Sequence, residues 1–83
     1  MRWRAAVEVH LKPGVFDPAG QAVGRSLAAL GHPDVSEVSV GKHLVLVLEA
    51  PDQESAERQV DAMCRELLVN PVLESYRRRV EPA

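Results

Sequence analysis

The feature that most narrows the possible folds is the alternation running from Arg2 to Lys12. Trp3, Ala5, Val7, Val9 and Leu11 fall on one side of an extended chain, and Arg2, Arg4, Glu8, His10 and Lys12 fall on the other. Side chains along a strand alternate faces, so this period of two describes a strand with one buried and one exposed face. A second segment breaks that rule. Leu44-Val45-Leu46-Val47-Leu48 is apolar on both faces, and a strand of that kind needs cover on both sides. The helices of so short a chain can cover one face, so cover for the other is expected from outside it. This predicts self-association through the sheet.

Helical periodicity separates the strands. Asp17-Pro18 supplies a capping carboxylate followed by the pre-set φ of a first helical residue, and Val23, Leu27 and Leu30 recur at helical spacing. The expected helix runs from Pro18 to Leu30, closed by Gly31 and kept from resuming by Pro33. Its stripe is narrow, and Gly20, Ala22, Gly24, Ala28 and Ala29 point to close backbone approach to a sheet or a partner. Val35 to Val40 and Leu44 to Glu49 both read as strands, with Gly41-Lys42 as the turn or bulge between them; one long bent strand is the competing arrangement. Pro51-Asp52 opens a second helix whose stripe is Ala56, Val60, Met63, Cys64, Leu67 and Leu68. Glu54/Arg58 and Asp61/Arg65 are expected as ion pairs on its wet side. Asn70-Pro71 ends it, and Val72 to Val80 is a closing strand. The order β-α-β-β-α-β implies a single α+β domain over residues 1–83. Its form is a ferredoxin-like antiparallel sheet, with two helices on one face and the other face used for association.

Chemistry-bearing patterns are sparse. The formal net charge is −2 and the pI about 5.9, so no long-range field favours nucleic acid or an anionic membrane. The longest apolar run, Leu44 to Leu48, is far short of a bilayer span, and the first residues lack a signal-peptide core, so the cytoplasm is the expected compartment. Cys64 is alone, which excludes a disulfide or a cysteine zinc cage within one chain. His10, His32 and His43 match no paired-ligand spacing, and Asp17, Asp34 and Asp52 each stand where a cap is needed. No phosphate-cradling glycine motif or nucleophile elbow is present, and one residue each of Trp, Tyr and Phe gives no stacking platform for RNA. Arg77-Arg78-Arg79 is the one basic run, divided by strand geometry because Arg78 points away from its neighbours. No catalytic, cofactor-binding or metal-binding residue is therefore assigned. Because loops and edges carry function on such scaffolds, the candidates for partner contact are Gly41, Lys42, His43, Asn70, Tyr76, Arg77 and Arg79.

Three stretches together resemble a known family. They are Leu11-Lys12-Pro13-Gly14-Val15-Phe16-Asp17-Pro18-Ala19-Gly20, the turn Val40-Gly41-Lys42, and the closing Leu67-Leu68-Val69-Asn70-Pro71-Val72-Leu73-Glu74-Ser75-Tyr76. In that order they resemble PurS, the small subunit of bacterial and archaeal phosphoribosylformylglycinamidine synthase. Pro71 after Asn70, and His43 in place of an aromatic or aliphatic residue, depart from the pattern. The resemblance implies a place in de novo purine synthesis. There a glutaminase subunit, a synthetase subunit and PurS convert formylglycinamide ribonucleotide, glutamine and ATP into formylglycinamidine ribonucleotide. It implies a non-catalytic dimer or higher oligomer that bridges the other two subunits and helps ammonia pass between them. No cofactor is expected on this chain, and ATP and Mg are expected on the large synthetase subunit. Two other classes share the element order. One is an ACT-like domain sensing a small molecule; the other, an RNA-binding ferredoxin-like module, is disfavoured by the acidic pI.

Overall fold

The computed structural model describes residues 1–83. It contains β1 (Arg2–Leu11), α1 (Pro18–Ala29), β2 (Lys42–Glu49), α2 (Gln53–Met63) and β3 (Glu74–Pro82). The strands form one antiparallel sheet in the order β2-β1-β3, so the alternating strand lies at its centre. Its expected division into faces is realised. Trp3, Ala5, Val7 and Val9 are buried on the inner face beneath α2, and Arg2, Arg4 and Glu8 are exposed on the outer face. The α+β class and the antiparallel sheet are as the periodicities require.

Register carries these faces into the flanking strands. Leu44, Leu46 and Leu48 lie opposite Val7, Ala5 and Trp3, so they share the inner face. Val45 and Val47 lie opposite Ala6 and Arg4 and share the outer one. Tyr76, Arg78 and Val80 are inner, while Arg77, Arg79 and Glu81 are outer. The core is Trp3, Ala5, Val7, Val9, Ala50, Ala56, Val60, Cys64, Val69 and Val80. Trp3 closes one end of it by donating from Nε1 to the Ala50 carbonyl at 3.2 Å.

Asp17 and Asp52 cap their helices as expected, accepting from the N–H groups of Gly20 at 2.8 Å and Ser55 at 2.7 Å. Gly31, at φ 99°, follows the end of α1. The stripe of α2 differs from its expected form at the far end. Residues Cys64–Leu68 make a π turn, sealed by Val69 N–H donating to the Cys64 carbonyl at 3.0 Å. The extra residue in that turn rotates the following side chains, so Val69 enters the core and Leu67 is 83% exposed. The Glu54–Arg58 pair forms at 3.2 Å, but Asp61 turns instead to Arg78 on β3, at 3.1 Å.

The largest departure lies between β1 and β2. Residues 35–40, expected as a strand, join no sheet, and β2 begins only at Lys42. Helix α2 packs on β1 and β3, whereas α1 makes no comparable contact with the sheet or with α2. Residues 12–41 instead project as an arm, which stretches the molecule to 51 × 26 × 14 Å. The radius of gyration is 16.4 Å, against about 12 Å for a compact chain of this length. No helix is long and apolar enough to cross a membrane.

Candidate functional site

The arm is built by one carboxylate and two glycines. Asp17 accepts from Gly20 N–H with one oxygen and, with the other, from Val40 N–H at 2.9 Å, tying the start of α1 to the end of the returning segment. Those two N–H groups hold its carboxyl below the usual carboxylate range. A Cβ on Gly20 would collide with the Val38 carbonyl, and one on Gly41 would collide with that of Val9. Only glycine lets segment 35–40 lie along α1 and then rejoin the sheet. The arm's root is fastened to the α2–β3 loop, where Lys12 donates from Nζ to the Pro71 carbonyl at 2.7 Å and from its backbone N–H to Leu73 at 2.8 Å.

What this geometry leaves open matters more than what it closes. Gly20, Gly24 and Ala28 of α1 face the returning segment. The neighbouring stripe of Val23, Leu27 and Leu30 is left largely open, with Val23 43% and Leu30 76% exposed and Leu27 partly buried. On the body, α2 covers β1 and β3 only, so Leu44, Leu46 and Leu48 remain half-covered beside it. Helix α1, at 12 residues, is about 18 Å long, against about 14 Å from Leu44 to Leu48 along β2, so it is long enough to cover those leucines. The free edge of β2 lacks a neighbour, and residues 35–40 pair with no strand. The chain exposes 5943 Å², about 1,000 Å² more than a compact monomer of 9.1 kDa.

The residues singled out in the sequence divide among three places. Gly41, Lys42 and Asn70 lie at the arm end of the sheet, where Lys42 stands 3.8 Å from Glu74. Asn70 organises the turn there, its Oδ1 accepting from Val72 N–H at 3.0 Å. In the same α2–β3 connection Leu67, Val72 and Leu73 are exposed apolar side chains, although helical periodicity places Leu67 inside. His43, Arg77 and Arg79 are on the outer face, where Arg77 reaches Glu8 at 3.5 Å. Tyr76 faces inward and donates from Oη to Asp61 at 2.9 Å.

Asp61 also accepts from Arg78 Nε and Nη2, and Arg78 Nη1 reaches Glu57 at 3.3 Å. This brace fastens α2 to β3. Arg78 holds the Asp61 carboxyl below its ordinary range against the opposing effect of burial, while burial and the bond to Asp61 push the Tyr76 phenol up. Strand parity already placed Tyr76 and Arg78 on the same face, and that was the available signal for the brace. Burial raises the Cys64 thiol, so it behaves as a small hydrophobe. No group of His, Cys, Asp or Glu is arranged to hold a metal ion.

Comparisons with known proteins agree with this picture of a small accessory chain. The family model described as PurS, phosphoribosylformylglycinamidine (FGAM) synthase, matches residues 4–82. The phosphoribosylformylglycinamidine synthase subunit PurS of Synechocystis is 47% identical over 89% of this chain and 74% of its own. That of Methanocaldococcus jannaschii is 37% identical over 95% of both. Among solved structures, Thermus thermophilus PurS superposes with a TM-score of 0.86 at 42% identity, covering 100% of this chain and 99% of that one. A chain in the structure of PurLQS from Thermotoga maritima gives a TM-score of 0.88 at 34% identity, covering 98% and 99%.

Proposed function

The chain belongs to the PurS family, and from that premise we propose that it serves phosphoribosylformylglycinamidine synthase by assembly, as a non-catalytic subunit bridging glutaminase and synthetase in purine biosynthesis. The observation that carries this reading is the unfilled arm: a largely open helix stripe and a row of half-covered leucines on one chain, joined so that neither covers the other. We place α1 of one copy in the gap beside α2 of a second, and segment 35–40 against the free edge of that copy's β2. Exchanged reciprocally, the arms complete two β-α-β-β-α-β units, each with two helices on one face. The domain over residues 1–83 is then finished by its twin. The excess of about 1,000 Å² per chain, about 2,000 Å² for two, lies at the upper end of the roughly 1,200 to 2,000 Å² total of a standard stable interface.

The apolar end at Leu67, Val72 and Leu73, with Lys42 and Asn70 beside it, is the surface we assign to the other subunits. ATP and Mg belong on the synthetase subunit in this reading, ammonia is the species passed between active sites, and the complex works in the cytoplasm. Bringing the two sites together makes a diffusive encounter with ammonia into a local transfer, which needs no reactive group here. Reconstitution tests it. Omitting the chain should abolish synthesis driven by glutamine and spare synthesis driven by ammonium chloride. Leu67→Asp combined with Val72→Asp should act like omission while leaving the chain folded by circular dichroism. Equal loss with both nitrogen sources, or glutaminase or ATPase activity of the chain alone, overturns the reading.

A further inference from the structure

Strand β3 has a neighbour on one side only, and its hydrogen bonds show which backbone groups that leaves over. Along an antiparallel pair, opposed residues that exchange two backbone bonds alternate with opposed residues that exchange none. Just beyond the two ends of β3, Ala83 N–H donates to the Arg2 carbonyl at 3.0 Å, and the Leu73 carbonyl accepts from Lys12 N–H at 2.8 Å. By that alternation Ser75, Arg77, Arg79 and Glu81 bond to β1, and the backbone groups of Glu74, Tyr76, Arg78, Val80 and Pro82 point away from it. The ends of this outward row are closed. Glu74 N–H donates to the Asn70 carbonyl at 2.7 Å, the Val80 carbonyl accepts from Gln53 Nε2 at 2.9 Å, and Pro82 has no N–H. In the middle, Tyr76 and Arg78 each keep an unpaired N–H and an unpaired carbonyl. The arm exchange fills the edge of β2 and leaves this one as it is.

The flanking side chains decide what can pair with those groups. Arg77 and Arg79 stand exposed on the outer face, where Arg77 reaches only Glu8, at 3.5 Å, and Arg79 has no ion pair. On the inner face Tyr76 and Arg78 are already committed to Asp61 and Glu57. A hollow of about 440 Å³ is lined by Asp61, Tyr76, Arg77 and Arg78; touching side chains from both faces of one strand, it lies along the free edge. A smaller one of about 220 Å³ lies next to Tyr76, between Cys64, Val69 and Pro71. A second copy of β3 laid antiparallel on this edge about Arg78 sets Arg77 against Arg79, and like charges directly opposite are destabilising. The charges that repel such a copy select an acidic strand, because the planar guanidinium pairs well with carboxylates.

We propose that the free edge of β3 is a strand-addition site for an extended acidic segment of another protein, with carboxylates against Arg77 and Arg79 and an apolar side chain in the smaller hollow beside Tyr76. Alternate residues of a strand share a face, so the two carboxylates stand two residues apart and the apolar side chain follows on the inner face. Only the owner of that segment, one of the two larger subunits, rests on the assembly reading. The site uses neither the arm nor Leu67 and Val72, so site and bridging can fail separately.

Backbone amide exchange of the full chain, read residue by residue by NMR, is the test. In the free chain the Tyr76 and Arg78 amides should exchange fast, while those of Arg77 and Arg79, bonded to β1, should be protected. The probe is the capped peptide Thr-Glu-Val-Glu-Leu-Thr, which laid antiparallel sets its Glu residues against Arg79 and Arg77 and its Leu beside Tyr76. With peptide at ten times its Kd, the Tyr76 and Arg78 amides should slow about ten-fold. Lys in place of both Glu, or N-methylation of the Val, should weaken binding at least about ten-fold, the first through charge and the second by removing an N–H that pairs with the edge. Arg77→Glu with Arg79→Glu in the chain should make the Lys peptide the better binder. No protection at millimolar peptide overturns the proposal, as does equal binding of the Glu and Lys peptides, or binding that leaves those two amides fast. In the complex reconstituted with both larger subunits the same amides should be protected, and fast exchange there also overturns it. A chain that binds the peptide and neither larger subunit keeps the site and sinks the bridging reading.

Discussion

The body of the molecule and its arm use the same kinds of residue to different ends. All ten buried hydrophobic residues belong to the body, which is the sheet with α2 and its flanking turns; within the arm only Gly20 is buried. Yet Val23, Leu27 and Leu30 of α1 repeat as regularly as Ala56, Val60 and Cys64 of α2. Composition does not separate them; connection does. Helix α2 follows β2 directly and returns over β1, where the brace from Asp61 and Glu57 to Arg78 holds it. Helix α1 is clamped by Asp17 to its own returning segment and leads away from the sheet. Apolar surface that the body uses for its own stability is, in the arm, left open.

The comparison can be broken most sharply in the body. Val60→Asp puts a carboxylate without a partner at a fully buried position, at a cost of several kcal/mol against a total stability of about 4 to 12 kcal/mol. A chain with no cooperative thermal transition and no assembly is expected by circular dichroism and sedimentation. The matching change in the arm is Val23→Asp with Leu27→Asp. Helix content should persist while the mass falls from two chains to one, and the melting temperature should drop and cease to depend on concentration. If this variant unfolds as Val60→Asp does, arm and body are one cooperative unit and the contrast fails.

A smaller effect sharpens the account of the body. Asp61→Asn should cost about 1 to 3 kcal/mol at neutral pH through the charged hydrogen bonds lost to Arg78. The sign follows from its lowered pKa: the stabilisation is complete above the ordinary carboxylate value near 3.9 and is lost as the pH falls through the lower folded one. Chemical unfolding between neutrality and strong acid should show the wild type losing this increment in the acid limb. The variant should give a flatter curve there, and equal slopes for the two would remove the brace from the explanation.

Much of the architecture was legible without coordinates. Alternation over Arg2 to Lys12 sorted both faces of β1, and that over Val72 to Val80 sorted those of β3, whereas which face of β2 is inner was settled only by its pairing with β1. Asp17 and Asp52 announced their helices by caps, since a side-chain oxygen can satisfy the orphan N–H groups of a first turn. Less legible was the end of α2, where one extra residue in a π turn exchanged Leu67 for Val69 in the core; helical periodicity assumes a constant turn.

What the sequence by itself determined was local: which segments are extended or helical, which face of each is apolar, and that the apolar faces outnumber the places one chain can hide them. What only the tertiary structure decided was where the surplus goes. Residues 35–40 carry a strand pattern, and α1 carries a stripe fit for a sheet, but both are turned away from their own sheet by contacts remote in sequence. Asp17 reaches Val40, and the close approaches at Gly20 and Gly41 set the path between them. Periodicity reports that a face must be covered and is the same whether the cover comes from the same chain or from another. The choice depends on the free energy of closing short connections against that of joining two molecules, a balance of geometry that no single segment encodes.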